Sequence, residues 1–175
     1  LGLGNANYLN GQNPRGWYYP QVGGSDYYWY DTLFTDKEFT LAYWDRFWFL
    51  RRSLLSTSNM MSMIDRHDYE LDGSRGTPNA VTRNFEEWNT LGRYLWPNAD
   101  GFASRRTHQA EVDWMKNWLT TRLDWMETQS RGTNGNARPP VFNNYGGEVQ
   151  SGFDLAIGDP NGWPGACLLY TSPSP

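Results

Sequence analysis

The chain has 175 residues, a formal net charge of −4 and a modest 38% of hydrophobic residues. That length suits one domain, or a domain and part of a second. A negative balance argues against a nucleic-acid partner, which needs a basic surface for phosphates, and no run of 18 apolar residues is present to span a membrane.

Aromatic residues make up 17% of the chain and ten of them are Trp, enough bulk to fill a core despite the low aliphatic content. Residues 1–25 are rich in Gly, Asn, Tyr and Pro and predict an irregular segment. From Thr35 the pattern turns helical. Thr35 and Glu38 have the spacing of a capping box, and Phe39, Tyr43, Phe47, Leu50 and Leu54 follow as an apolar stripe widened by Trp44 and Trp48. Most of this helix is expected to be buried, with Arg51 and Arg52 near its C-terminal end complementing the dipole.

Ser56 or Thr57 is expected to cap a second helix carrying Met60, Ile64, His67 and Leu71 on one face, with Gly73 and Gly76 at its end. Thr77-Pro78 restarts a helix whose inner side is Val81, Phe85 and Trp88, closed by Gly92 and Trp96-Pro97. The clearest helix opens at Thr107 and runs to about Ser130. Val112, Met115, Leu119, Leu123 and Met126 form one stripe and Trp114, Trp118 and Trp125 a neighbouring one, with Gly132 as the stop. Residues 132–140 read as a linker. After it Phe153, Leu155 and Ile157 alternate with Asp154 and Ala156 as a strand, and Val141-Phe142 and Glu148-Val149 add to the opening of a β-sandwich. Residues 141–164 are too few to complete one. The fold class expected is therefore mainly α with a truncated β-module.

Sites are scarce in this pattern. No Gly-x-Ser-x-Gly elbow occurs, and the two histidines do not suggest a triad. His67, on an apolar helix face, reads as a hydrogen-bonded and partly buried side chain, and His108, in a first turn, as solvated. With a single cysteine, zinc-type ligand sets fail. Asp26, Asp31, Asp65, Asp68 and Asp72 are conceivable cation ligands, but the i, i+3, i+7 spacing of the last three is that of a solvated face, and Glu86-Glu87 reads the same way. The glycines of LGLGNANYLNG offer backbone N–H groups to a phosphate without any P-loop motif. The aromatics allow a second class of function, a cell-surface module that stacks polysaccharide on Trp44, Trp88, Trp118 and Trp125, although helix stripes favour packing.

Several stretches in order carry a family resemblance: LGNANY (3–8), GWYY (16–19), WYDTLFTDKEF (29–39), LST (55–57), RNF-x-x-W (83–88), LG-x-x-x-WPN (91–98), EVDWMKNWL (111–119) and RLDWM (122–126). Together, over roughly residues 1–131, they resemble the C-terminal part of the CotH kinase family. The tail PPVF-x-x-x-GGEV-x-x-GFDL (139–155) is similar to the opening of a chitobiase C-terminal-type β-sandwich. The resemblance implies a helical C-lobe over 1–131 of an atypical, secreted bacterial protein kinase, located outside the cell or in its envelope. Such a kinase transfers the γ-phosphoryl group of ATP, with Mg2+, to hydroxyls of a protein substrate. It also implies that the ATP-contacting lysine and glutamate belong to an N-lobe, and the metal aspartate to a W-D motif, both expected upstream of Leu1. That leaves this stretch without catalytic or metal residues and inactive alone, with the N-lobe as its partner in cis. Gly4, Asn5 and Asn7, directly after that motif, are then the candidates for orienting phosphate or metal-bound water, or for fixing turns. A scaffold that has lost catalysis is the remaining alternative. Finally, GACLLYTSPSP (165–175) resembles a translated sequencing adapter more than a Ser/Pro linker, so Cys167 is given no role.

Overall fold

The computed structural model describes residues 11–17, 19–22, 29–72, 79–96, 98–130 and 140–159. Among these the chain is mainly helical. In order come α1 (Tyr19–Val22), α2 (Trp29–Thr35), α3 (Lys37–Arg51), α4 (Thr57–Asp72), α5 (Ala80–Glu87), a 3-10 turn (Phe102–Ser104), α6 (His108–Ser130), β1 (Val141–Phe142) and β2 (Ile157–Gly158). The four helices expected from periodicity are α3 to α6; α1 and α2 are too short to show a period. Helix α2 packs on α1 and α3, and α4 packs on α5 and α6.

Helix α3 begins one residue later than the capping box suggests. Asp36, in extended backbone, is the N-cap, and its carboxylate accepts the Phe39 N–H at 2.9 Å. Thr35 closes α2 instead, its hydroxyl donating back to the Thr32 carbonyl at 2.7 Å. A residue still in helical backbone cannot cap the next helix, so the short acidic side chain after it takes the role. The stripe is also narrower than predicted. Thr40, Trp44 and Phe47 are buried, whereas Leu54 lies past the end of α3 and is 54% exposed.

Ser56 caps α4, its Oγ accepting the Asn59 N–H at 3.2 Å. Asn79 caps α5 by accepting the Thr82 N–H at 2.7 Å, and it donates to the carbonyl and carboxylate of Asp72, tying the end of α4 to the start of α5. Trp88, expected inside, is the extended C-cap residue of α5 and 63% exposed. Thr107 caps α6 through the Ala110 N–H at 3.1 Å, as the sequence predicts. Gly92 turns the chain after α5 at φ +72°, and a Cβ there would lie 2.9 Å from Arg106 Cγ, which restricts the position to glycine twice over.

Arg51 joins three helices at one point. Its Nε donates to Glu127 of α6 at 2.8 Å, Nη1 to the Leu55 carbonyl at 2.6 Å and Nη2 to the Thr57 hydroxyl at 2.9 Å. The buried apolar side chains are Trp44, Phe47, Ala99, Val112, Trp118 and Leu123, from α3, α6 and the turn before it.

The β-segment is smaller than its alternation promised. Val141 pairs with Gly158 and Phe142 with Ile157, antiparallel, while Glu148-Val149 is not in a strand and Phe153 to Ala156 run outside the ladder. Asn143 explains the early end: its side-chain oxygen accepts the Ala156 N–H and its amide donates to the Asp154 carbonyl, both at 2.9 Å. A side chain thus uses backbone groups that a longer strand would have paired. Gly73, Gly76, Thr77-Pro78, Gly132 and Cys167 lie outside the described residues.

Candidate functional site

The most developed polar arrangement links the segment 12–17 to α6. Trp118, buried in the middle of α6, donates its indole N–H to the Gln12 carbonyl at 2.6 Å. One turn further on, Arg122 Nη1 donates to the carbonyls of Pro14 at 3.2 Å and Gly16 at 2.5 Å. The Gln12 side chain closes the other side, its amide donating to Asp100 Oδ2 at 2.9 Å and its oxygen accepting the Asp100 N–H at 2.8 Å. Asn13 shapes the bend between these anchors by accepting the Arg15 N–H at 2.9 Å. Every second carbonyl of the stretch is thereby held by a side chain from the far end of the chain.

An aromatic nest surrounds this anchor. The Trp17 ring lies edge-on to Trp125 at 5.0 Å, Trp44 at 5.9 Å and Tyr43 at 6.3 Å, and Tyr19 stacks on Phe34 at 4.1 Å. The Arg122 guanidinium sits 4.8 Å from the Trp125 ring centre and 5.7 Å from that of Trp17, so its charge is met by π faces and carbonyls. No carboxylate is within ion-pair distance of it among the described residues. Burial lowers the pKa of Arg122 and raises that of the Tyr43 phenol, an effect on Tyr43 that the nearby Arg122 charge partly offsets. A small hollow of about 260 Å³ lies alongside, lined by Arg15, Thr121, Asp124, Trp125 and Thr128.

A buried cation supports the turn before α6. Arg105 is 8% exposed and donates to the carbonyls of Ala99 and Asp100 and to Glu111, with its guanidinium over Trp114. It holds the backbone of Asp100, which in turn holds Gln12.

Of the candidate residues, Gly4, Asn5, Asn7 and Asp26 lie outside the described residues, and Asp31 is described by its backbone alone. The histidines exchange the roles expected of them. His67 is exposed beside Glu70, whereas His108 is largely buried, next to Phe85, with Nε2 2.8 Å from Asp68 Oδ1. The reason is helical phase: position 68 of α4, not 67, faces α6. Of the carboxylates of α4, Asp65 and Asp72 are exposed, as the solvated-face reading expects, and Asp68 alone is turned inward. Asp68 pairs with His108, Asp65 with Lys116, and Asp72 accepts from Asn79. Glu86 and Glu87 are exposed as predicted. No Ser, Thr or Cys side chain is hydrogen-bonded to the His108–Asp68 pair, and no group of three His, Cys, Asp or Glu is placed to hold a metal ion, among the described residues. Trp44 and Trp118 are buried and Trp125 half-buried, which leaves Trp88 alone of the proposed stacking set on the surface.

Periodicity gave no warning of the anchor made by Gln12, Trp118 and Arg122. The available signal was a cation, Arg122, at i+4 from Trp118 and three residues before Trp125, inside an aromatic stripe where a solvated arginine is out of place.

These features define a mainly helical fold in which α6 grips a distant chain segment. The sequence profile described as CotH kinase protein matches residues 1–126, and the chain belongs to the CotH kinase family. No curated protein and no solved structure matches it.

Proposed function

We propose that this chain is the C-lobe of a protein kinase that transfers the γ-phosphoryl group of ATP, with Mg2+, to hydroxyls of a protein substrate outside the cell or in its envelope. The observation that carries this reading is family membership over residues 1–126. The anchoring of 12–17 on α6 supports it, because phosphoryl transfer relies on positioning and on metal-held charge more than on a covalent nucleophile.

Among the described residues no three His, Cys, Asp or Glu side chains gather to hold a metal ion, and the candidates Gly4, Asn5 and Asn7 lie outside them. No chemical step is therefore assigned to these residues. The resemblance implies that the lysine, glutamate and metal aspartate are expected upstream of Leu1, and in our reading this chain alone is inactive.

The test is ATP turnover with Mg2+ by the 175-residue chain and by a gene product that carries the residues upstream. Background turnover by the first and clear turnover by the second are expected. Activity of the short chain well above a buffer control would overturn the supporting-lobe reading. An inactive longer product that retains the upstream W-D motif would overturn the kinase reading and favour the scaffold. Fractionation of cells expressing that product tests the location. Polysaccharide stacking is not carried forward, since two of its four indoles are in the core.

A further inference from the structure

Thr121, Asp124, Trp125 and Thr128 follow one another along α6 at i, i+3, i+4 and i+7 and so share one face of the helix. Arg15 joins them from the irregular segment, and the five line the hollow of about 260 Å³. Both walls are held. One is a helix of 23 residues; in the other, the Asn13 side chain accepts the Arg15 N–H, and Arg122 donates to the carbonyls of Pro14 and Gly16 on either side. The polar groups on these walls are free. Arg15 and Asp124 are exposed, and neither side chain has a hydrogen bond or ion pair among the described residues, with the other or with any neighbour. The Thr121 hydroxyl is likewise without a partner there. Thr128 differs, since its hydroxyl donates to the Trp125 carbonyl at 2.7 Å and accepts from Gln129 Nε2 at 3.3 Å. Elsewhere in the molecule Arg51 and Arg105 each meet a glutamate at 2.8 Å. An arginine offers donors only and an ionised aspartate acceptors only. Arg15 and Asp124, lining one hollow without closing on each other, leave both functions to a third molecule.

The chemistry of that molecule follows from the set. An anion is repelled by Asp124 and a cation by Arg15, so the walls suit a neutral ligand that carries donors and acceptors together and an apolar surface for the indole. The hollow is smaller than pockets for drug-sized ligands, which run from about 300 to 1,000 Å³, and suits a single ring. We propose that it binds one neutral sugar ring, a pyranose whose hydroxyls donate to Asp124 and accept from Arg15, with Thr121 beside them and the C–H surface of the ring on Trp125. This differs from a sugar chain laid across four exposed indoles. One indole is enough here, and Trp125 is half-buried, not one of the two in the core. The site does not rest on the phosphoryl-transfer reading.

Saturation-transfer NMR on the 175-residue chain tests this, with the methyl glycosides of glucose, galactose, mannose and N-acetylglucosamine as probes. At least one should bind with a Kd on the order of 1 to 10 mM. Asp124→Asn and Arg15→Gln change exposed side chains and leave the core intact, and each should weaken that binding at least about tenfold, the loss of a hydrogen bond to a charged group. Charge discrimination is the second readout. The uronate and 6-amino analogues of the bound glycoside should bind the parent chain at least about tenfold more weakly than the neutral sugar. Asp124→Asn should then relieve the penalty on the uronate, and Arg15→Gln that on the amine, gains that a misfolded variant would not give. Absence of transfer to all four glycosides at about 50 mM, well above that Kd range, would overturn the site. Binding that either substitution leaves intact, or a parent chain that prefers the uronate, would overturn it too. N-acetyltyrosinamide is the peptide probe: transfer to it and not to the sugars would make the hollow a seat for a peptide side chain and end the sugar reading.

Discussion

Arg51 and Tyr43 show two ways in which a polar side chain works inside this aromatic lobe. Arg51 has all three of its nitrogens engaged, with its side chain 10% exposed and that of Glu127 24%. Arg51→Met removes the cation and takes one donor from each of Glu127, the Leu55 carbonyl and the Thr57 hydroxyl. We expect a loss of about 3 kcal/mol, the lower end for breaking a buried pair, read as a reduced midpoint in urea. Arg51→Met with Glu127→Met should restore part of it; a double variant no more stable than the single one would contradict the pairing. Tyr43 is held neutral by burial, with its pKa raised. A raised value in the folded state means that the native protein keeps this proton after the unfolded chain has lost it. The contribution is complete below about pH 10 and is lost as pH rises through the folded value. Stability of the wild type should therefore fall above about pH 10 more steeply than that of Tyr43→Phe, in parallel melts across that range. None of this was legible in residue order. Arg51 was read as a dipole partner and Tyr43 as a member of a stripe, because periodicity reports which face a residue is on and not what it meets there.

At the scale of elements, the start of α3 separates two readings of the same four letters. Thr35 and Asp36 are both good caps, and the sequence favoured the first through Glu38 three residues on. The existence of α2 decides for Asp36, since Thr35 is its last residue. Asp36→Ala should cost about 1 kcal/mol, and Thr35→Ala much less, in thermal melts of the two variants. The reverse order would reinstate the capping box. The long helices α3, α4 and α6 were readable because each shows several turns of apolar spacing, and Thr107 and Ser56 cap as expected. The shorter pieces were not. Helix α2 has seven residues, β1 and β2 two each, and Asn143 stops the ladder by a local contact that alternation cannot encode.

At the scale of the whole molecule, apolar surface outweighs core among the described residues: six hydrophobic residues are buried, against exposed Trp88, Trp96, Phe49, Leu41 and Leu95, each more than half exposed. The β-segment adds an open apolar hollow of about 800 Å³ between Phe142, Tyr145, Val149, Phe153 and Leu155. Exposed patches of this kind drive association. The 175-residue chain is expected to elute as a concentration-dependent mixture in size-exclusion chromatography and to melt over a broad range. A single monomeric species with a sharp calorimetric transition would show that expectation to be wrong. The class of fold was readable from aromatic content and helical spacing. The division between core and surface was not, because an indole on a stripe and an indole at a helix end look alike in sequence.

The grip of α6 on its distant partners also sets an order of events. Trp118 and Arg122 lie 106 to 108 residues downstream of the carbonyls they hold, and Glu127 lies 76 residues after Arg51. During synthesis the early segments emerge long before the helix that will fasten them. They must wait, exposed and rich in tyrosine and tryptophan, until nearly the last of the helical region has been made. Such late, long-range closure slows folding and lengthens the interval in which the nascent chain is open to misassociation. A chain released before residue 107 would carry most of the aromatic nest and none of the helix that organises it.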